Sequence, residues 1–278
     1  MERISATQDA MEFVTSADGT AIAYDRWGSG PAVILVDGAL CRRAFGPMGA
    51  LSALLAQRFS VYTYDRRGRG DSRDTEPYAP EREIEDLAAL IQAAGGKASL
   101  FGASSGGALA LAAAAAGLPV HRLAVYEPPY VSEGAARAVE PDHLAALRQR
   151  LTQGQRGAAV RYFMRDMANA PAAVVLMMQC LLPVWSKLKA VAHTLPYDAT
   201  IMGDWRVPTA RAASVRVPTL VMHGEKTEAR LSQAAQVLAS AVPGAELISL
   251  PGQNHNAQAK VLAPVLAAFL TRDGRAQL

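Results

Sequence analysis

The chain has 278 residues, half of them hydrophobic and 19% charged, with a net charge of +3. That size and apolar content suit one large α/β domain, or one domain with an insertion, and argue against a disordered chain. The charge is too small and too scattered for a nucleic-acid surface, and Cys41 and Cys180 show neither metal-ligand spacing nor a disulfide framework.

Residues Met1–Ser5 lack an apolar stretch of signal length, and no run of apolar residues is long enough to span a bilayer. The expectation is therefore a cytoplasmic protein that binds neither membrane nor nucleic acid and takes a small-molecule substrate, with oligomeric state left open. Met11–Ala17 and Thr20–Trp27 read as strands around the turn signal Asp18-Gly19. Ala32–Val36 is a short β-branched run, as in a strand buried on both faces. Ala44–Gln57 has helical periodicity, Ser60–Tyr64 is a strand ending at Asp65, and Glu81–Ala94 is an amphipathic helix stopped by Gly95-Gly96. Ala98–Ala103 is a strand, Ser105–Ala116 a small-residue helix, and Arg122–Tyr126 a strand halted by Glu127-Pro128-Pro129.

The rhythm then changes. Between Tyr130 and Arg211 only helical patterns occur, over Pro141–Leu151, Gly157–Ala168, Ala172–Leu182 and Val184–Ala192. Alternation resumes with strand Thr219–His223, helix Arg230–Ala241, strand Glu246–Leu250 and helix Ala257–Leu270. Such alternation predicts an α/β fold with a mostly parallel central sheet and helices on both faces. Residues 1–129 and 212–278 would form its core, and 130–211 an all-helical lid over the carboxyl ends of the strands.

The run Gly102-Ala103-Ser104-Ser105-Gly106 sits where a strand turns at once into a helix. This Gly-x-Ser-x-Gly pattern holds a serine on a strained turn with its hydroxyl exposed, and it aims the next amide at a forming oxyanion. Three further segments carry information: Asp65-Arg66-Arg67-Gly68-Arg69-Gly70-Asp71-Ser72, Val36-Asp37-Gly38-Ala39, and Leu250-Pro251-Gly252-Gln253-Asn254-His255. Together with the order of elements, these resemble the α/β-hydrolase superfamily over nearly the whole chain. The resemblance implies Ser104 as nucleophile, His255 as base, and an oxyanion hole from the Ala39 and Ser105 amides.

The acid departs from the usual pattern. The family places it after the strand Thr219–His223, but Gly224-Glu225-Lys226-Thr227 puts a threonine there, and no aspartate lies between Asp204 and Asp273. Glu127 is the best candidate, because a subset of the superfamily carries a glutamate acid at that strand end. Glu225, Glu228, another acid, or none remain open. Asp37 is a second departure, since most relatives carry histidine there. A bare carboxylate would oppose an oxyanion, so Asp37 is expected to be tied to backbone amides or to Arg42, Arg43 or Arg66. That would make the basic run structural.

Leu40, Met177, Met178 and Trp185 are candidates for an adaptable apolar pocket wall, although packing within the lid accounts equally for such residues. Cofactor and metal are expected to be absent. The reading is a serine hydrolase cleaving an ester or lactone that bears an apolar group. A serine nucleophile disfavours dehalogenase or epoxide chemistry, because water does not readily cleave the resulting ether. The alternatives are a cofactor-free peroxidase, acyltransferase or cyclase on the same triad, or a non-catalytic binding relative.

Overall fold

The computed structural model describes residues 11–132 and 142–272. Eight strands form one sheet in the order β1-β2-β4-β3-β5-β6-β7-β8. They are β1 (Glu12–Thr15), β2 (Ala21–Trp27), β3 (Ala32–Val36), β4 (Ser60–Tyr64), β5 (Ala98–Ala103), β6 (Val120–Tyr126), β7 (Thr219–Gly224) and β8 (Glu246–Leu250). β1 and β2 pair antiparallel, β2 meets β4 antiparallel, and all other neighbours are parallel. The predicted Met11–Ala17 strand is shorter because Asp18 takes the chain into its turn, accepting the Thr20 amide.

Helices cover both faces. α1 (Met48–Leu55) and, late in the chain, Ala259–Leu270 pack on one face with Val33, Leu35, Phe101 and Leu220. α2 (Pro80–Ala93), α3 (Ser105–Ala115) and the helix Ala229–Ala241 cover the other, around Ile34, Val36, Leu100 and Val125. β3 and β5 thus bury both faces, which is why Ala32–Val36 reads as a continuous apolar run. α1 begins four residues later than the Ala44–Gln57 pattern predicts. Pro47 disfavours helix for the residue before it, and Arg42 pairs with Phe45 across a tight turn instead.

Between β6 and β7 the described residues form helices α4 (His143–Thr152), α5 (Arg156–Tyr162), α6 (Ala172–Cys180), α7 (Leu182–Ala190), α8 (Leu195–Met202) and α9 (Thr209–Ala212). Pro141, the expected start of the first, lies outside the described residues. The predicted Gly157–Ala168 helix widens into a π turn over Phe163–Met167. The predicted boundary between the next two helices shifts, with the bend falling at Leu181. α8 is an element the sequence pattern did not yield. Pro196 reads as a break, but at the second helical position a proline gives up no helical hydrogen bond. These helices share a small core, Leu147, Val160, Trp185, Leu188 and Leu195, that reaches Leu40 of the sheet domain. α10 (Ala229–Ala241) and α11 (Ala259–Leu270) complete the chain. Among the described residues no single helix is long and apolar enough to cross a membrane.

Candidate active site

β5 delivers Ser104 into the turn before α3. Ser104 has φ 54° and ψ −132°, a backbone rarely adopted by a residue with a β-carbon. Two close approaches make the turn possible. A β-carbon on Gly102 would lie 2.3 Å from Gly106 O, and one on Gly106 would lie 2.2 Å from Val36 O. The Ser104 amide donates to Tyr126 O at 2.9 Å, fixing the turn against β6. Leu40 and Glu127 also have positive φ, 61° and 43°. Three of the five described non-glycine residues with this strained backbone therefore surround one point, as expected where function holds the strain.

His255 follows β8 and reaches both neighbours. Its Nδ1 is 2.8 Å from Glu127 Oε2, and its Nε2 is 3.3 Å from the Ser104 hydroxyl. Glu127 is fully buried, and its other oxygen accepts the Gly224 amide at 2.7 Å. The carboxylate calls for the proton on Nδ1, which leaves the Nε2 lone pair facing Ser104. The end of β7 thus supplies an amide that steadies an acid from β6. Glu225 instead accepts the Gly252 amide at 2.7 Å, and Glu228 pairs with Arg230 and Asn169. Neither is hydrogen-bonded to His255.

The Ala39 and Ser105 amides have no hydrogen-bond acceptor among the described residues. Gly38 brings the Ala39 loop against Ser104, since a β-carbon there would sit 3.0 Å from Ser104 Cβ. Of the two ties expected for Asp37, the backbone amide is present and the arginine is not: the Gly38 amide donates to its side chain, and among the described residues no arginine forms a salt bridge with its carboxylate. Arg43 binds Asp25, Asp65 and Asp71, and Arg66 donates to the Asp37 carbonyl, not its side chain. Among the described residues Arg42 Nε has no hydrogen-bond partner. The Asp37 side chain takes hydrogen bonds from the Cys41 thiol and the Gly38 amide, and among the described residues its Oδ1 has no hydrogen-bond partner. Burial pushes its pKa up to about 7, against the opposing pull of Arg69. The Cys41 thiol is pushed up too, by burial first and then by the Asp37 charge.

The basic run is buried and paired. Arg66 forks onto Glu83, Arg67 onto Asp86 and Asp18, and both Arg66 and Arg69 bind Asp198 on α8. Asp198 also accepts the Ser105 hydroxyl at 2.7 Å. Burial would raise the Asp198 pKa, but Arg69, Arg66 and the Ser105 hydroxyl outweigh it and hold it below the usual range. Sequence reasoning missed Asp198. Its signal was a lone acid inside the apolar run Leu195–Met202.

The pocket candidates behave differently from one another. Leu40 and Trp185 are buried in the helical insertion's core, with Met178 against it, whereas Met177 is 56% exposed. A cavity of about 220 Å³ opens beside His255, between α1 and α11, lined by Met48, Leu51, Phe101, Tyr126, Ala257 and Leu262 among others. None of Leu40, Met177, Met178 or Trp185 lines it. This apolar space depends on how two helices distant in sequence meet, so no local pattern announces it. Among the described residues no group of three or more His, Cys, Asp or Glu side chains is arranged to hold a metal ion.

The model of the alpha/beta hydrolase family matches residues 32–265. The chain belongs to the alpha/beta hydrolase family. An alpha/beta hydrolase from Sphaerobacter thermophilus is 52% identical with a TM-score of 0.87, covering 94% of this hydrolase and all of that chain. The enol-lactonase from Burkholderia xenovorans is 21% identical with a TM-score of 0.71, covering 94% of this chain and 100% of its own. A polyketide synthase, ThaQ of Burkholderia thailandensis, is 29% identical over 272 residues. That match covers 90% of the present hydrolase but only 12% of the synthase.

Proposed function

We propose that this hydrolase cleaves a carboxylic ester or lactone bearing an apolar group, through an acyl-enzyme at Ser104. The observation that carries the reading is the chain of contacts from the Ser104 hydroxyl through His255 to the buried Glu127 carboxylate, at 3.3 and 2.8 Å. In that reading His255 Nε2 takes the hydroxyl proton as Oγ attacks the carbonyl carbon. Glu127 holds the imidazole in the required tautomer and stabilises its positive charge. The Ala39 and Ser105 amides receive the oxyanion, and His255 then protonates the departing alkoxide. Water, activated by the same imidazole, attacks the acyl carbon and releases Ser104. The apolar lining of the cavity beside His255 supports an apolar group on the substrate, and the helices at 130–211 would act as the lid over a 1–129 and 212–278 core.

The wild-type protein should label at Ser104 with a serine-reactive phosphonate and hydrolyse p-nitrophenyl esters. Ser104→Ala should abolish both. A wild-type protein that neither labels nor turns over an ester would sink the proposal. Acyl transfer to an acceptor other than water is a second reading, favoured by the 29% identity to a stretch of a polyketide synthase. Mass analysis of products formed with added alcohols or amines separates the two: free acid alone supports hydrolysis, and a new ester or amide supports transfer.

A further inference from the structure

We infer that Arg69 and Asp198 are positioning residues for the oxyanion hole, with Asp198 on α8 holding both amide donors in register. The inference rests on the proposed acyl chemistry at Ser104. Arg69 is 1% exposed and donates from Nη1 to Gly38 O at 2.6 Å. The peptide from Gly38 to Ala39 is trans, since the one cis bond among the described residues is Glu76-Pro77. In a planar trans peptide the carbonyl and the following N–H point in opposite directions. Anchoring Gly38 O on the buried guanidinium therefore turns the Ala39 N–H to the other side. The full positive charge behind the carbonyl also polarises the peptide, making that N–H a stronger donor.

The second donor is tied to the same carboxylate. Asp198 Oδ2 accepts from Arg69 Nη2 at 2.7 Å, while Oδ1 accepts from the Ser105 hydroxyl at 2.7 Å and Arg66 Nη1 at 2.8 Å. Arg66 in turn donates to Asp37 O at 3.3 Å, one peptide earlier in the same loop. Arg69 Nε completes its fork on Thr194 of the insertion at 3.1 Å. One side chain of the helical insertion thus fixes the residue that carries one amide and the guanidinium that orients the other. Arg69 and Asp198 need touch no substrate for this. They act on the spacing of two donors whose value depends on facing the oxyanion and not the ground-state carbonyl.

The test compares Arg69→Lys, Asp198→Asn and Ser105→Ala with Arg67→Lys, a buried arginine that pairs with Asp86 and Asp18 away from the loop. Each is assayed for kcat and KM on p-nitrophenyl butyrate, for Ki of a trifluoromethyl ketone, and for Tm. The ketone adds the Ser104 oxygen and places an oxyanion in the hole. Arg69→Lys and Asp198→Asn should lower kcat about ten- to hundred-fold with KM within about threefold, and weaken the ketone by the same factor as kcat. Ser105→Ala, the mildest change, decides the matter should the charge variants fail to fold. It should lower kcat about three- to tenfold with a parallel rise in Ki. Arg67→Lys should lower Tm and leave kcat and Ki unchanged. The inference is overturned if the losses appear in Tm but not in kcat and Ki, or if Arg67→Lys loses as much kcat as Arg69→Lys. Those outcomes are read against an active wild-type protein, so they differ from failure of the proposed function.

Discussion

Glu127 is the residue on which the site turns. Its backbone sits at φ 43°, and that strain swings the carboxylate back under His255 while Oε1 takes the Gly224 amide. Glu127→Gln keeps the shape but offers an amide where His255 Nδ1–H needs an acceptor. It should lower kcat by about a thousandfold or more on p-nitrophenyl esters. Glu225→Gln and Glu228→Gln should stay within about threefold, since neither is hydrogen-bonded to the imidazole. Reversal of that order in a kinetic comparison would assign the acid elsewhere. Asp37 gives a second prediction, one of pH. Its folded pKa is raised to about 7 by burial, well above the unfolded value of 3.8. From about pH 4 to about pH 7 the unfolded chain releases this proton while the folded chain keeps it, so this group's contribution to stability falls as pH rises. Asp37→Asn should match the wild type near pH 4 and exceed it by up to about 4 kcal/mol at pH 8. Urea unfolding of both proteins across that range isolates the term, because every other carboxylate cancels in the difference.

At the scale of elements, the serine turn is a contact between three pieces of backbone. β3 passes so close to α3 that only glycine fits at position 106, with Val36 O 2.2 Å from where a β-carbon would lie. Gly106→Ala must push α3 away from β3, which moves the Ser105 amide and Ser104 together. It should abolish phosphonate labelling and lower stability by about 2–4 kcal/mol in denaturant titration. Within the helical insertion, packed and exposed positions differ in what they carry. Trp185 is buried in a core of its own, so Trp185→Ala should cost about 3–5 kcal/mol. Met177 is 56% exposed, and Met177→Ser should stay within about 0.5 kcal/mol. The elements themselves were legible to different degrees. β3 was readable because a strand buried on both faces is apolar throughout, and β5 because its mostly apolar run leads straight into the serine turn. α8 was hidden by Pro196, which only its place in the first turn makes harmless. The role of Asp198 was hidden because its partners, Arg66, Arg69 and Ser105, lie far away in sequence.

Across the whole molecule, the succession of strands and helices could be anticipated from local periodicity, and the meeting of Ser104 with His255 from motifs at two strand ends. What could not be anticipated are the pairings that need the finished fold, and the arginines following β4 show why. Arg66, Arg67 and Arg69 stand next to one another in sequence, but their side chains part toward different regions. Arg66 and Arg69 reach Asp198 in the helical insertion, while Arg67 reaches Asp86 on α2 and Asp18 in the β1–β2 turn. Arg67 therefore ties the β1–β2 hairpin to α2. Both partners depend on it unequally. Burial raises the Asp86 pKa in spite of the arginine, whereas Asp18, nearer solvent, is held low chiefly by its hydrogen bond to Arg67. Arg67→Met leaves Asp86 buried without a counter-charge, which should cost about 3–5 kcal/mol at pH 7. The loss should shrink as pH falls, because Asp86 can then take up a proton and become neutral where it is buried. Adding Asp86→Leu should recover much of the stability, since an apolar pair of similar volume needs no partner charge. Ester turnover should be unchanged in the folded fraction of all three proteins. A double variant no more stable than Arg67→Met, or a loss that does not vary with pH, would show that the arginine stabilises by packing and not by charge.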